Sequence, residues 1–122
     1  MDDKLKKALE LANFQESIAL QKRNINSRIE KMRVIFHSNG QFIANIGTIV
    51  AINTIIEIKN LTEISKDKSA IFEDINETPV MISDIFEFKK KIVEAYLESL
   101  NEKYSSYAKI AKVRSVNQFI ED

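Results

Sequence analysis

Residues 34–43 read V-I-F-H-S-N-G-Q-F-I, two apolar runs on either side of Ser38-Asn39-Gly40-Gln41. β-Branched and aromatic residues dominate both runs, the pattern of two extended strands. Asn39-Gly40 is the strongest short-range hairpin signal, because a type I′ turn needs positive φ at both central positions, which Gly takes freely and Asn tolerates. The return strand is then 41–44. In this frame Val34 and Phe36 share one face, and Arg33, Ile35 and His37 share the other. His37, the single histidine of the chain, ends a strand beside charge, which is an exposed position.

The chain before the hairpin has no Gly or Pro. Leu11, Phe14, Ile18, Ile25 and Met32 recur there at spacings of three, four or seven, the apolar stripe of an amphipathic helix. Asp2 or Asp3 caps its start, so a helix is expected over about 3–30. Gln21 and Arg28 interrupt the seam, so it is not a regular coiled coil. At about 1.5 Å per residue the helix is roughly 40 Å long, more than a small core needs.

After the hairpin, I-G-T-I-V-A-I-N-T-I-I-E-I-K-N-L at 46–61 fits two patterns. Ile49, Ile52 and Ile56 suit a helix capped by Thr48, whereas Val50, Ile52, Thr54, Ile56 and Ile58 alternate as a strand would. Length favours the helix. A polar connector over 60–68 leads to a second hairpin, 70–72 and 79–82 around D-I-N-E-T at 74–78, with the single proline at a strand start. Ser83 or Asp84 then caps a last helix, with Glu87 three residues after Asp84 as in a capping box. Ile85, Phe88, Ile92, Tyr96, Leu100, Tyr104, Tyr107 and Ala111 run along one face of it. The helix is expected to reach about Lys112, with 113–122 as a looser tail. The fold class is therefore α+β: helix, β-hairpin, helix, β-hairpin, long helix, a small antiparallel sheet packed against the long helices, in one domain over 1–122. The two hairpins pair edge to edge in a four-stranded sheet or extend across a subunit boundary.

Composition narrows the chemistry. Eighteen basic residues balance eighteen acidic ones, so no global field draws the chain to nucleic acid or anionic lipid. Charge is nonetheless segregated: Lys22, Arg23, Arg28, Lys31 and Arg33 face only Glu30 over 22–37, whereas 57–87 is acid-rich. The absence of cysteine excludes disulfides, thiol catalysis and cysteine-based metal sites. The start, M-D-D-K-L-K-K, lacks the basic and apolar regions of a secretory signal, and 46–58 is too short and polar to span a bilayer. A cytoplasmic location without membrane attachment is expected.

No catalytic constellation stands out. His37 has no second His or Cys to share a metal and no evident orienting partner. E-D-I-N-E at 73–77 lacks the glycine and the closing glutamate of a calcium loop. There is no phosphate-binding glycine loop. Glu94 and Glu98, one turn apart on a lysine-rich helix, read as a solvated face. No enzyme activity, cofactor or metal is expected.

The segments A-L-E-L-A-N-F-Q-E-S-I-A-L-Q-K-R at 8–23, H-S-N-G-Q-F at 37–42, D-I-N-E-T-P-V-M-I-S-D-I at 74–85 and Y-L-E-S-L-N-E-K-Y-S-S-Y at 96–107, in this order of elements, resemble a group of small uncharacterised proteins of T-even-like phages of marine bacteria. The resemblance implies a phage-encoded protein made in a bacterial host's cytoplasm or carried in the virion. It implies no activity and no functional residues.

Two helices longer than the strands can cover call for apolar partners. The expected function is a non-catalytic interaction or assembly protein, homo-oligomeric through its long helices, with Ile18, Ile25, Leu100, Tyr104 and Tyr107 as interface candidates and other phage or host proteins as further partners. The alternative is a nucleic-acid-binding accessory protein. Its basic residues would be Lys22, Arg23, Arg28, Lys31, Arg33, Lys103, Lys109, Lys112 and Arg114, interleaved with tyrosines that can stack on bases.

Overall fold

The computed structural model describes residues 2–62 and 67–121, with side chains as far as Ala111 at the C-terminal end. The elements are α1 (Asp3–Met32), β1 (Val34–His37), β2 (Gly40–Ile43), α2 (Ile46–Thr62), β3 (Ala70–Glu73), β4 (Pro79–Ile82) and α3 (Ile85–Glu121). This is the α+β order expected. The stretch left open between helix and strand is the helix α2. α3 continues to Glu121, beyond the end expected near Lys112, because no Gly or Pro interrupts the chain after Pro79.

Two compact units make up the chain, 30–100 and the combination of 1–29 with 101–122. The first contains both hairpins, α2 and the beginning of α3. Its core is Phe42, Ala44, Ile52, Val80, Ile82, Ile85, Phe88 and Ile92. α2 contributes Ile52, buried, with Ile49 and Ile56 packed alongside, the helical spacing read from the sequence. Its N-cap is Asn45 and not Thr48: Asn45 Oδ1 accepts a hydrogen bond from Thr48 N at 2.8 Å, so the helix begins at Ile46. Asp84 caps α3 as expected, its Oδ1 accepting from Phe86 N at 3.0 Å and Glu87 N at 3.2 Å.

The first hairpin turns one residue earlier than Asn39-Gly40. His37 pairs with Gly40, and the positive-φ residues are Ser38 (50°) and Asn39 (67°). Gly40 is a strand residue, kept small because a Cβ there would lie 2.7 Å from Val80 Cγ2 and 2.9 Å from Phe42 Cε2. The two faces of β1 are partitioned as expected but with the opposite polarity. Phe36 is 72% exposed, while Ile35 packs on the core and His37 is half-buried.

The hairpins do not merge into one four-stranded sheet. Each is a two-stranded antiparallel sheet, and they meet where the β3–β4 turn reaches β2: Ile75 N donates to Gln41 O at 2.9 Å. Outside the strands, Ala44 N donates to Arg33 O at 2.7 Å, and Ile85 N to Lys68 O at 2.8 Å.

The second unit pairs the earlier part of α1 with the later part of α3. Among the described residues, Ile29 and Ile110 are its buried apolar ones and Ser106 is buried as well; Phe14, Ile18 and Ile25 are half-buried. Ile29 is the one buried residue of the 30 in α1. Leu5, Leu9, Leu11 and Leu20 stay exposed.

Candidate functional site

The inner face of α3 follows the stripe read from the sequence through Ile85, Phe88, Ile92 and Tyr96 and departs from it at Leu100 and Tyr104. Burial follows Ile85, Phe88 and Ile92, then Ser99, Ser106 and Ile110, while Leu100 and Tyr104 point away from it. Ile85, Ile92, Ser99 and Ser106 are seven residues apart, so the face was traceable by extending the isoleucine repeat. The larger side chains at 100 and 104 lie off the buried side, and the small Ser99 and Ser106 lie on it. Both serines are used. Ser99 Oγ donates to Tyr96 O at 2.7 Å and accepts from Arg33 Nε at 2.9 Å. Ser106 Oγ accepts from Arg28 Nη2 at 2.7 Å.

The residues left outside form a second stripe. Phe86, Val93, Leu97, Leu100 and Tyr104 are spaced seven, four, three and four, which on a helix places them on one side. Phe86 and Leu97 are 53% and 52% exposed, and Tyr104 is 80% exposed. Leu100 is exposed and Val93 half-exposed. α3 therefore carries two apolar faces, of which the fold covers one. Lys90 occupies the gap between Phe86 and Val93 and forms a long ion pair with Glu94 at 4.0 Å.

The other interface candidates lie where α1 and α3 meet. Tyr107 donates its hydroxyl proton to Asn26 Oδ1 at 3.0 Å, and the ammonium groups of Lys22 and Lys103 stand 6.0 and 5.8 Å from its ring centre. Ile18 and Ile110 line one cleft beside it, and Ile25 and Ile110 another. Tyr107, Ile18 and Ile25 are thus largely engaged within the chain, unlike Leu100 and Tyr104.

Several of the basic candidates have internal partners as well. Arg28 pairs with Glu102 at 2.9 Å. Arg33, half-buried, lies 5.3 Å from the Tyr96 ring centre as well as on Ser99. Lys22, Arg23, Lys31 and Lys109 are exposed; the side chains of Lys112 and Arg114 lie outside the described residues. A tyrosine ring already flanked by two lysines is a poor open platform for a base, and an arginine paired with a carboxylate has less to offer a phosphate.

His37 is the other revised position. Its ring centre lies 5.1 Å from that of Phe88, and Lys91 Nζ is 3.5 Å from Nδ1. Burial is the main reason its pKa falls below the usual value; the Lys91 ammonium adds to this and Glu87 opposes it. The ring is a neutral cover on the core, with Lys91 placed to donate to Nδ1.

At 73–77 the carboxylate of Asp74 organises the turn. Its Oδ1 accepts from Asn76 N at 2.9 Å and Thr78 N at 3.1 Å, and its Oδ2 from Gln41 N at 3.3 Å. Among the described residues no group of three or more His, Cys, Asp or Glu is arranged to hold a metal ion. Nor is any helix there long and apolar enough to cross a membrane.

Comparison with known proteins finds no protein-family model, no curated protein and no solved structure that matches this chain.

Proposed function

We propose that the chain is a non-catalytic self-association module whose contact is the outer face of α3. The observation that carries this is the stripe of Phe86, Leu97, Leu100 and Tyr104, exposed, with Val93 half-exposed among them, on a helix whose other side is already committed to the core. A three-four apolar repeat on a helix is complementary to the same repeat on another helix. Moving a fully exposed leucine out of water contributes about 1.5–3 kcal/mol; Leu97 and Leu100, 52% and 37% exposed, have about half of that or less to gain per copy, which offsets a part of what association costs. The leucines of α1 offer a further surface to the same kind of partner. The phage resemblance gives this module a setting in virion assembly or phage development.

The test is solution mass by light scattering at low salt, over a range of protein concentration, with and without single-stranded DNA. The expected result is a discrete oligomer that ignores the DNA, and that Leu97→Asp with Leu100→Asp converts to monomer while far-UV circular dichroism is unchanged. A wild-type monomer at all concentrations overturns the reading. A monomer that gains mass with DNA and loses it on adding salt supports the nucleic-acid alternative instead.

A further inference from the structure

We propose that the cleft between β2, the β3–β4 turn and the first turns of α2 binds a compact hydrophobic cation: an aromatic ring or branched alkyl group carrying a primary ammonium. The site lies wholly within 30–100 and does not depend on the outer face of α3.

The cleft encloses about 320 Å³ and opens to solvent. That is the lower end of the range for small-ligand sites, roughly 300–1,000 Å³, and suits one ring with a short arm. Phe42, Phe72 and Phe88 line its apolar part. Their rings already meet at tilted or edge-on angles, 4.8 Å between the centres of Phe42 and Phe88 and 5.4 Å between those of Phe72 and Phe88. Phe42 and Phe88 are buried, so the apolar surface a ligand meets is that of the half-buried Phe72 and the exposed Ile43 and Ile75.

Charge selects the head group. Glu73 and Asp74 both line the cleft, and no lysine, arginine or histidine does. Asp74 is held by the N–H groups of Gln41, Asn76 and Thr78, so its negative charge is fixed in place. Glu73 is exposed, and its carboxylate has no hydrogen-bond or ion-pair partner among the described residues. An ammonium beside it gains a charge-assisted hydrogen bond. A carboxylate ligand would be a third negative charge in the same space.

The experiment follows backbone amide shifts of the full chain by NMR as phenethylamine or 3-phenylpropionate is added. Phenethylamine is expected to give saturable shifts confined to 42–48 and 72–75, and 3-phenylpropionate none at the same concentrations. Glu73→Gln should weaken the amine by about threefold, the scale of an exposed ion pair. Ala51→Trp, an exposed α2 position on the cleft wall, should abolish binding by filling the space, with an unchanged melting temperature. The proposal is overturned if the two probes bind alike, if neither gives saturable shifts, or if Ala51→Trp leaves binding intact. It is overturned too if the cleft amides shift with protein concentration alone, which would make the cleft a contact between copies.

Discussion

Gln41 and Asp74 join the two hairpins: Gln41 N donates to Asp74 Oδ2 at 3.3 Å, while Gln41 O accepts from Ile75 N, the residue after Asp74. Neither hairpin is independently stable on two strands, so this junction lets each brace the other above the shared core. Asp74→Ala removes the acceptor for three backbone N–H groups and should lower the melting temperature clearly. Asp74→Asn, which keeps one acceptor oxygen, should do less. The N–H groups, Thr78 first, hold the Asp74 pKa below its usual value, with desolvation opposing. A carboxylate with a depressed folded pKa stabilises above the unfolded value of 3.8 and loses that contribution as pH falls through the folded value. Wild-type and Asp74→Asn melting temperatures should therefore converge in strong acid.

The turns contain an inexpensive gain in stability. Glu77 adopts φ 61° after a turn closed by Glu77 N donating to Asp74 O at 2.9 Å, a left-handed position that glycine usually fills. Glu77→Gly should stabilise by about 1 kcal/mol, since the left-handed region costs an L-residue roughly 1–2 kcal/mol. Gly40→Ala should do the reverse, by about 1–3 kcal/mol, because its Cβ intrudes on Val80 and Phe42 in a packed core. Urea unfolding measures both. Equal stability of Gly40→Ala and wild type would mean that the core there is looser than its packing indicates.

Residue spacing made the order of elements legible, because Ile49, Ile52 and Ile56 fit a helix and each apolar run beside a turn fits a strand. Details set by tertiary contact were less legible. Asn-Gly marked the first hairpin, but the turn fell on Ser38 and Asn39 because Val80 and Phe42 claim the space at Gly40. Hydrophobicity alone put Leu100 and Tyr104 on the inner face of α3, where serines 99 and 106 sit because each has an arginine to receive. Leu100 and Tyr104 are exposed for the same reason, whereas Tyr107 is held by Asn26. The cleft beneath the second turn left no local trace, since its walls come from four separate segments.

Arg33 and Ser99 offer a test of that serine's role. Ser99 is fully buried, and its hydroxyl serves Arg33 Nε and Tyr96 O together. Ser99→Ala should cost about 1–3 kcal/mol by leaving a partly buried donor unpaired. A double-mutant cycle with Arg33→Met should show coupling, the second substitution costing less in the Ser99→Ala background. Strict additivity would show that the bond contributes nothing to stability.

His37 predicts a second acid-sensitive window, well above that of Asp74. Burial against Phe88 and the Lys91 ammonium depress its folded pKa below 6.5, against the smaller pull of Glu87. In the interval between the two values the unfolded chain binds more protons, so stability rises with pH there. The contribution is complete above 6.5 and is lost as pH falls through the folded value. The melting temperature of the wild type should drop as pH falls below 6.5, and that of His37→Gln should drop less, because glutamine does not titrate. Holding the salt concentration fixed separates this from changes elsewhere in surface charge. A parallel fall in both proteins would show that His37 charges as freely in the folded chain as in the unfolded one, and that its ring does not seal the core at Phe88.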